Sequence, residues 1–175
     1  MAAFRLTRSD MLRLFDLLNA ELATEDAHGE LYLVGGAVMC LTLEARQATR
    51  DVDGYFRPTG LIRQAAARVA ARAGVPDDWL NDAVKAFLSP RGDFDPYLDL
   101  DHLQVFVARP AYLLAMKCAA MRLGEEFHDL DDVRYLLRYL DITSVEAALE
   151  IVTRYFDAER LPPKTRLALE ELLAG

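Results

Sequence analysis

The sequence predicts an α/β (α+β) fold: a small mixed β-sheet with packed helices, then a helical C-terminal region. Three observations predict it. Strand-like runs near 31–34, 49–56 and 103–107 alternate with helix-like runs up to about residue 108. From Arg109 onward every periodic stretch has helical spacing. The hydrophobic fraction, 53% of 175 residues, is ample for a buried core. A length of 175 residues fits one compact unit, with an α/β core over 1–108 and helices packed on it over 109–175.

The elements follow in order. Residues 8–24 form an amphipathic helix, with Leu12, Phe15, Leu18 and Leu22 at i, i+3, i+4 spacing and Ser9 as the expected N-cap. Leu31 to Val34 have strand length and composition. Gly35 and Gly36 follow at once and mark a close backbone approach; Ala37 to Leu43 then make two helical turns. Thr49 to Phe56 is a second strand carrying two acids, broken by Pro58-Thr59-Gly60. Thr59 caps a helix over 61–73 that Gly74 ends. A further helix is expected over 77–87, with Trp79, Leu80, Val84 and Phe87 on one side. Ser89 to Pro96 is a turn-rich loop, and a strand follows at 103–107 with a short partner near 97–100.

Pro110 opens a helix that Gly124 closes, since proline is tolerated in the first turn. Residues 128–140 are another helix, beginning at His128. Thr143 or Ser144 caps a third, running through Phe156, and Pro162-Pro163 starts the last, which runs to about Leu173. No internal repeat is present.

A net charge of −8 argues against nonspecific binding along a nucleic-acid backbone, which needs a basic surface. It leaves room for a local basic groove, for which Arg46, Arg50 and Arg57 flank the acid pair. Cys40 and Cys118 have no metal-ligand spacing and are expected as buried thiols, with a bridge between them left open. MAAFRLTRSD lacks the apolar run of a signal peptide. No stretch approaches the ~18 apolar residues of a membrane span, so a soluble cytoplasmic protein is expected.

The stretch 31–56 organises the rest. On a strand, Asp51 and Asp53 leave the same face while Val52 enters the core. Two adjacent carboxylates persist when solvated or when a cation sits between them. The plain alternatives are an ordinary strand-to-helix turn at the glycines and a solvated strand end at the acids.

The set of strand, Gly35-Gly36, helix and Thr49-Arg50-Asp51-Val52-Asp53 resembles the nucleotidyltransferase superfamily typified by DNA polymerase beta. A second block, Leu113-Leu114-Ala115-x-Lys117, then Arg122, then Asp129-x-x-Asp132, resembles the bacterial toxin-like branch with the AbiEii and MenT-type toxins and a related uncharacterised family. The resemblance spans roughly residues 31–140.

It implies a Mg2+-dependent enzyme moving NMP from an NTP to a hydroxyl of an RNA or protein acceptor, and it admits a role as the toxin of a toxin-antitoxin pair with a small antitoxin partner. By resemblance, Asp51 and Asp53 hold metal, and Gly35 and Gly36 cradle the triphosphate with Arg50 and Lys117. Asp129 or Asp132 orients Lys117 or receives the acceptor proton. Two departures stand out. The commoner Gly-Ser turn is Gly35-Gly36 here, losing a hydroxyl. The third metal carboxylate expected on a later strand has only Asp99 and Asp101 as candidates, with Asp101 taken as the ligand. A catalytically degenerate nucleotide- or protein-binding module is the alternative.

Overall fold

A computed structural model describes residues 3–121 and 129–175. The expected helix start at His128 and the matched Arg122 lie outside the described residues, and the helix that Pro110 opens ends at Ala119, with Ala120 as its C-cap, instead of reaching the expected close at Gly124. The chain divides into two compact units: residues 1–86 with 94–108, and residues 87–93 with 109–175.

The first unit begins with a two-residue strand, β1 (Leu6–Thr7), and helix α1 (Arg8–Thr24). Thr7, not Ser9, is the N-cap: its hydroxyl accepts from the Asp10 amide, and the Asp10 carboxylate accepts from the Thr7 amide. That reciprocal pair satisfies two orphan donors, so the cap falls where an acid stands three residues on. Strand β2 (Gly29–Val34) runs into the short helix α2 (Gly35–Leu41). Strand β3 (Ala48–Thr49) pairs antiparallel with β1, Leu6 opposite Thr49. Next come β4 (Val52–Arg57), α3 (Thr59–Ala73), β5 (Leu80–Asn81), β6 (Phe94–Asp99) and β7 (Leu103–Ala108).

The sheet is mixed, in the order β5-β4-β2-β7-β6. β2 pairs antiparallel with β4 and parallel with β7, and β6 pairs antiparallel with β7. Leu31, Leu33, Val52, Phe56, Leu103, Val105 and Val107 are buried on one face. Leu14, Phe15 and Leu18 of α1 and Ile62 and Val69 of α3 are buried in the same unit, and the two helices contact each other, β7 and β4. Gly54 stands opposite Leu33, and a Cβ there would overlap the Tyr32 carbonyl oxygen. The other face carries a row of rings, with Tyr32 stacked on Tyr55 at 4.5 Å and on Phe106 at 4.8 Å.

Further expectations change. Thr59 is the first residue of α3 and not its cap, which is Pro58. The helix expected over 77–87 is the strand β5 followed by a 3-10 turn at Ala83–Phe87. Trp79 is fully buried, its Nε1 donates to the Ala66 carbonyl at 3.0 Å, and its own carbonyl accepts from the Val52 amide at 2.6 Å. A free edge beside β4 and one anchored ring outweigh helical periodicity. The loop expected at 89–96 instead contributes Phe94 to Pro96 to β6. Proline fits there because β6 is an edge strand.

The second unit holds α4 (Pro110–Ala119), α5 (Asp129–Tyr139), α6 (Val145–Tyr155) and α7 (Pro163–Ala174). Ser144 is the N-cap of α6, its hydroxyl accepting from the Ala147 amide. Tyr112, Leu114, Val133, Leu136, Ala148, Val152 and Leu169 are buried. Residues 87–93 join this unit through Ser89, whose amide donates to the Tyr112 hydroxyl at 2.9 Å and whose hydroxyl donates to the Tyr155 carbonyl. Cys40 and Cys118 are both buried and are not joined in a disulfide, and burial pushes the Cys118 thiol up to about 12. Among the described residues no helix is long and apolar enough to cross a membrane.

Candidate functional site

The glycine bend and the two acids come together at one end of the first unit's sheet. Val34, the last residue of β2, stands opposite Asp53. The chain then turns through Gly35 at φ +69°, a backbone that L side chains rarely adopt. A Cβ on Gly35 would lie 3.7 Å from the Asp53 Oδ2. The bend therefore rests directly against that carboxylate.

Asp51 joins Asp53 on the same face. In the parallel β4–β5 pair Asp53 stands opposite Asn81, and directly opposed residues leave a sheet on one side. The Asn81 Nδ2 donates to the Asp51 Oδ2 at 3.1 Å. One side chain thus ties both acids to a common face. Val52 between them is fully buried, which fixes the alternation. Burial raises the Asp51 pKa above the usual carboxylate value. The Asn81 hydrogen bond pulls it down, the nearby Asp78 charge raises it, and the Arg50 charge lowers it. Asn81 was missed in the sequence because the helix expected across 77–87 hid it.

Beside Gly36 stand a hydroxyl and a cation. A Cβ on Gly36 would lie 2.8 Å from the Thr49 Oγ1 and 2.9 Å from an Arg46 guanidinium nitrogen. Thr49 is buried and held by the β1–β3 pairing, and its hydroxyl donates to the Asp51 carbonyl at 3.3 Å. Arg46 is half-buried, whereas Arg50 is exposed. Arg57 is at the far end of β4, its guanidinium 5.1 Å from the centre of the Tyr32 ring.

Asp99 and Asp101 do not join the pair, which corrects the expected third ligand. Asp99 stands opposite Gln104, close to where Leu103 stands beside Gly29, whereas Asp53 stands beside Val34. Those ends of β2 are about 16 Å apart at the usual rise per residue. Antiparallel pairing of β6 with β7 puts the turn between them at the wrong end of the sheet. Asp99 and Asp101 instead line a cavity of about 490 Å³ with His28, His102, Glu30 and Arg57. His102 is structural there: its Nδ1 donates to the Ala27 carbonyl at 2.8 Å.

The second unit holds a charged cluster of its own residues. The Lys117 ammonium donates to the Asp129 Oδ1 at 3.0 Å and pairs with the Asp132 Oδ2 at 2.9 Å. Lys117 leaves only 14% of its side chain exposed, and the two acids 3% and 4%. Both acids, not one of them, hold the lysine.

Asp51 and Asp53 present hard oxygen donors, and the side-chain-free Gly35 keeps the space beside Asp53 clear. Mg2+ takes such donors, usually one or two carboxylates with phosphate and water completing the shell. Among the described residues no group of three or more His, Cys, Asp or Glu side chains is placed to hold a metal ion. A two-carboxylate site that shares its cation with a ligand's phosphates fits that arrangement. Comparison with protein-family models, with curated proteins and with solved structures finds no match for this chain.

Proposed function

We propose that this protein is a Mg2+-dependent nucleotidyltransferase that moves NMP from an NTP to a hydroxyl of an RNA or protein acceptor. The observation that carries the reading is the positive-φ Gly35 bend lying 3.7 Å, by its missing Cβ, from the Asp53 carboxylate. Asp51 shares its face through Asn81. In this reaction an acceptor oxygen bonds the α-phosphorus, the bond to the β-phosphate oxygen breaks, and pyrophosphate leaves with that electron pair. Mg2+, when bound, neutralises charge on the phosphoryl oxygens and favours the ionised acceptor hydroxyl.

The chain's own residues do the rest. Asp51 and Asp53 supply the oxygen donors. Gly35 and Gly36 let the backbone approach the polyphosphate with no side chain between. The Thr49 hydroxyl occupies the place where a side chain at Gly36 would start, and its one proton goes to the Asp51 carbonyl. A role as the toxin of a toxin-antitoxin pair, acting inside the cell, belongs to the same proposal. Growth arrest on expression, lost in Asp53→Ala, is its expected sign.

One observation favours a second reading, a nucleotide- or protein-binding module without turnover. β7 carries Gln104, Phe106 and Ala108 on the face that holds Asp53, and no acid. Titration calorimetry with Mg2+ and each NTP, on wild type and on Asp51→Ala/Asp53→Ala, tests the site. Metal-dependent binding lost in the double variant supports it, and no metal-dependent binding in wild type sinks it. Transfer of label from α-labelled NTP then separates an enzyme from a binding module.

A further inference from the structure

We infer that Arg46 is the residue that grips the polyphosphate tail, the part of the nucleotide that leaves as pyrophosphate. The inference rests on the nucleotidyltransferase reading and names the charge that reading needs. Two carboxylates repel a triphosphate, and a polyanion settles beside them only where a cation faces it.

Three observations pick Arg46. Its guanidinium nitrogen stands 2.9 Å from the position a Cβ on Gly36 would take, so the cation lies directly on the backbone of the bend. One residue earlier, the same bend lies against Asp53. The bend thus has a carboxylate beside Gly35 and a guanidinium beside Gly36. Arg46 is also half-buried, on a connection that the β1–β3 pairing anchors at Thr49, whereas Arg50 is exposed.

Arg46 has a partner within the protein already. A guanidinium carries five N–H donors in a planar fork, so it can keep that partner and still take two phosphate oxygens. Lysine, a single point charge, reproduces the charge but not the fork. The metal-facing phosphates then lie on the Asp53 side and the tail on the Arg46 side.

The test compares NTP with NMP. Titration calorimetry with Ca2+ in place of Mg2+, to stop turnover, is run on wild type, Arg46→Gln, Arg46→Lys and, as a control, Arg13→Gln at an exposed arginine of α1. We expect Arg46→Gln to weaken NTP binding on the order of 10–100-fold while NMP binding stays within about twofold. Arg46→Lys recovers part of the loss, and Arg13→Gln changes NTP binding by no more than about threefold. Competition by inorganic pyrophosphate falls with Arg46→Gln. Equal weakening of NTP and NMP marks a merely structural role and overturns the inference, as does unchanged NTP binding. If Arg46→Gln fails to fold, Arg46→Lys decides: NTP affinity lowered with NMP affinity kept supports the inference, and equal weakening of both or unchanged NTP binding overturns it. Wild type binding neither nucleotide overturns the nucleotidyltransferase reading itself. That outcome is distinct from a selective failure at Arg46.

Discussion

Asp51 sits where a charge is costly. Its carboxyl is half-buried and its pKa is raised, chiefly by that burial. The sign of the consequence follows from linkage. Between the ordinary carboxylate pKa and the raised one, the native state holds more protons than the unfolded chain. Stability therefore falls as pH rises through that window, and the deficit persists above it. Asp51→Asn removes the charge and keeps an oxygen for Asn81 to donate to. We expect the variant to be more stable than wild type at pH 7, by up to about 1 kcal/mol, or about 2–4 °C in Tm for a chain this long. The gain should vanish as pH falls below the usual carboxylate range. Thermal melts across pH 3–8 measure it, and a variant less stable than wild type at pH 7 contradicts the account. Loss of metal-dependent nucleotide binding alongside a gain in stability would be the signature of a site kept at a cost.

At the scale of elements, the Lys117 cluster joins α4 to α5. Taking one ammonium and two carboxylates out of water is costly, and their mutual attraction offsets much of that cost. Removing the cation alone leaves two buried acids without it. Lys117→Met should therefore destabilise the protein by about 3–5 kcal/mol, read as a lower urea midpoint with an unchanged slope. A loss under about 1 kcal/mol would mean that other partners carry the two acids. The grouping of Lys117, Asp129 and Asp132 was legible because the resemblance sets all three in one block of sequence. The helices around it were legible for the same reason: their signals, apolar periodicity and capping residues, are local. The strand β5 was not. Its register depends on the edge of β4 and on Trp79 reaching the Ala66 carbonyl, contacts that no window of sequence contains. The Thr7 cap was within reach, since Asp10 three residues later completes the capping pattern.

For the molecule as a whole, the charge of −8 sets the kind of partner it tolerates. Affinity for a nucleic-acid backbone rises with the number of phosphates that cations neutralise. Here the cations beside the bend are few, and the chain as a whole carries more acids than bases. We expect no measurable retention of random-sequence duplex by gel shift near 150 mM salt, even at protein concentrations of about 10 μM. Binding of an NTP, which needs a metal and a small cationic flank, should survive the same salt. Strong, salt-sensitive duplex binding would contradict this and point to a basic surface elsewhere.

The sequence by itself determined that a Gly-Gly bend would end one strand and that Asp51 and Asp53 would flank a buried Val52 on another. Glycine's freedom at positive φ and the two-residue period of a strand are local properties, present in the order of the residues. Only the tertiary structure decided what stands next to that pair. Antiparallel pairing of β6 with β7 carried Asp99 and Asp101 to the far end of the sheet. Parallel pairing of β5 with β4 brought Asn81 to Asp51, and anchoring of β3 on β1 helped bring Arg46 and Thr49 to Gly36. The physical reason is the same in each case: strand direction and register are settled by which edges pair, and pairing energy is shared between segments far apart in the chain.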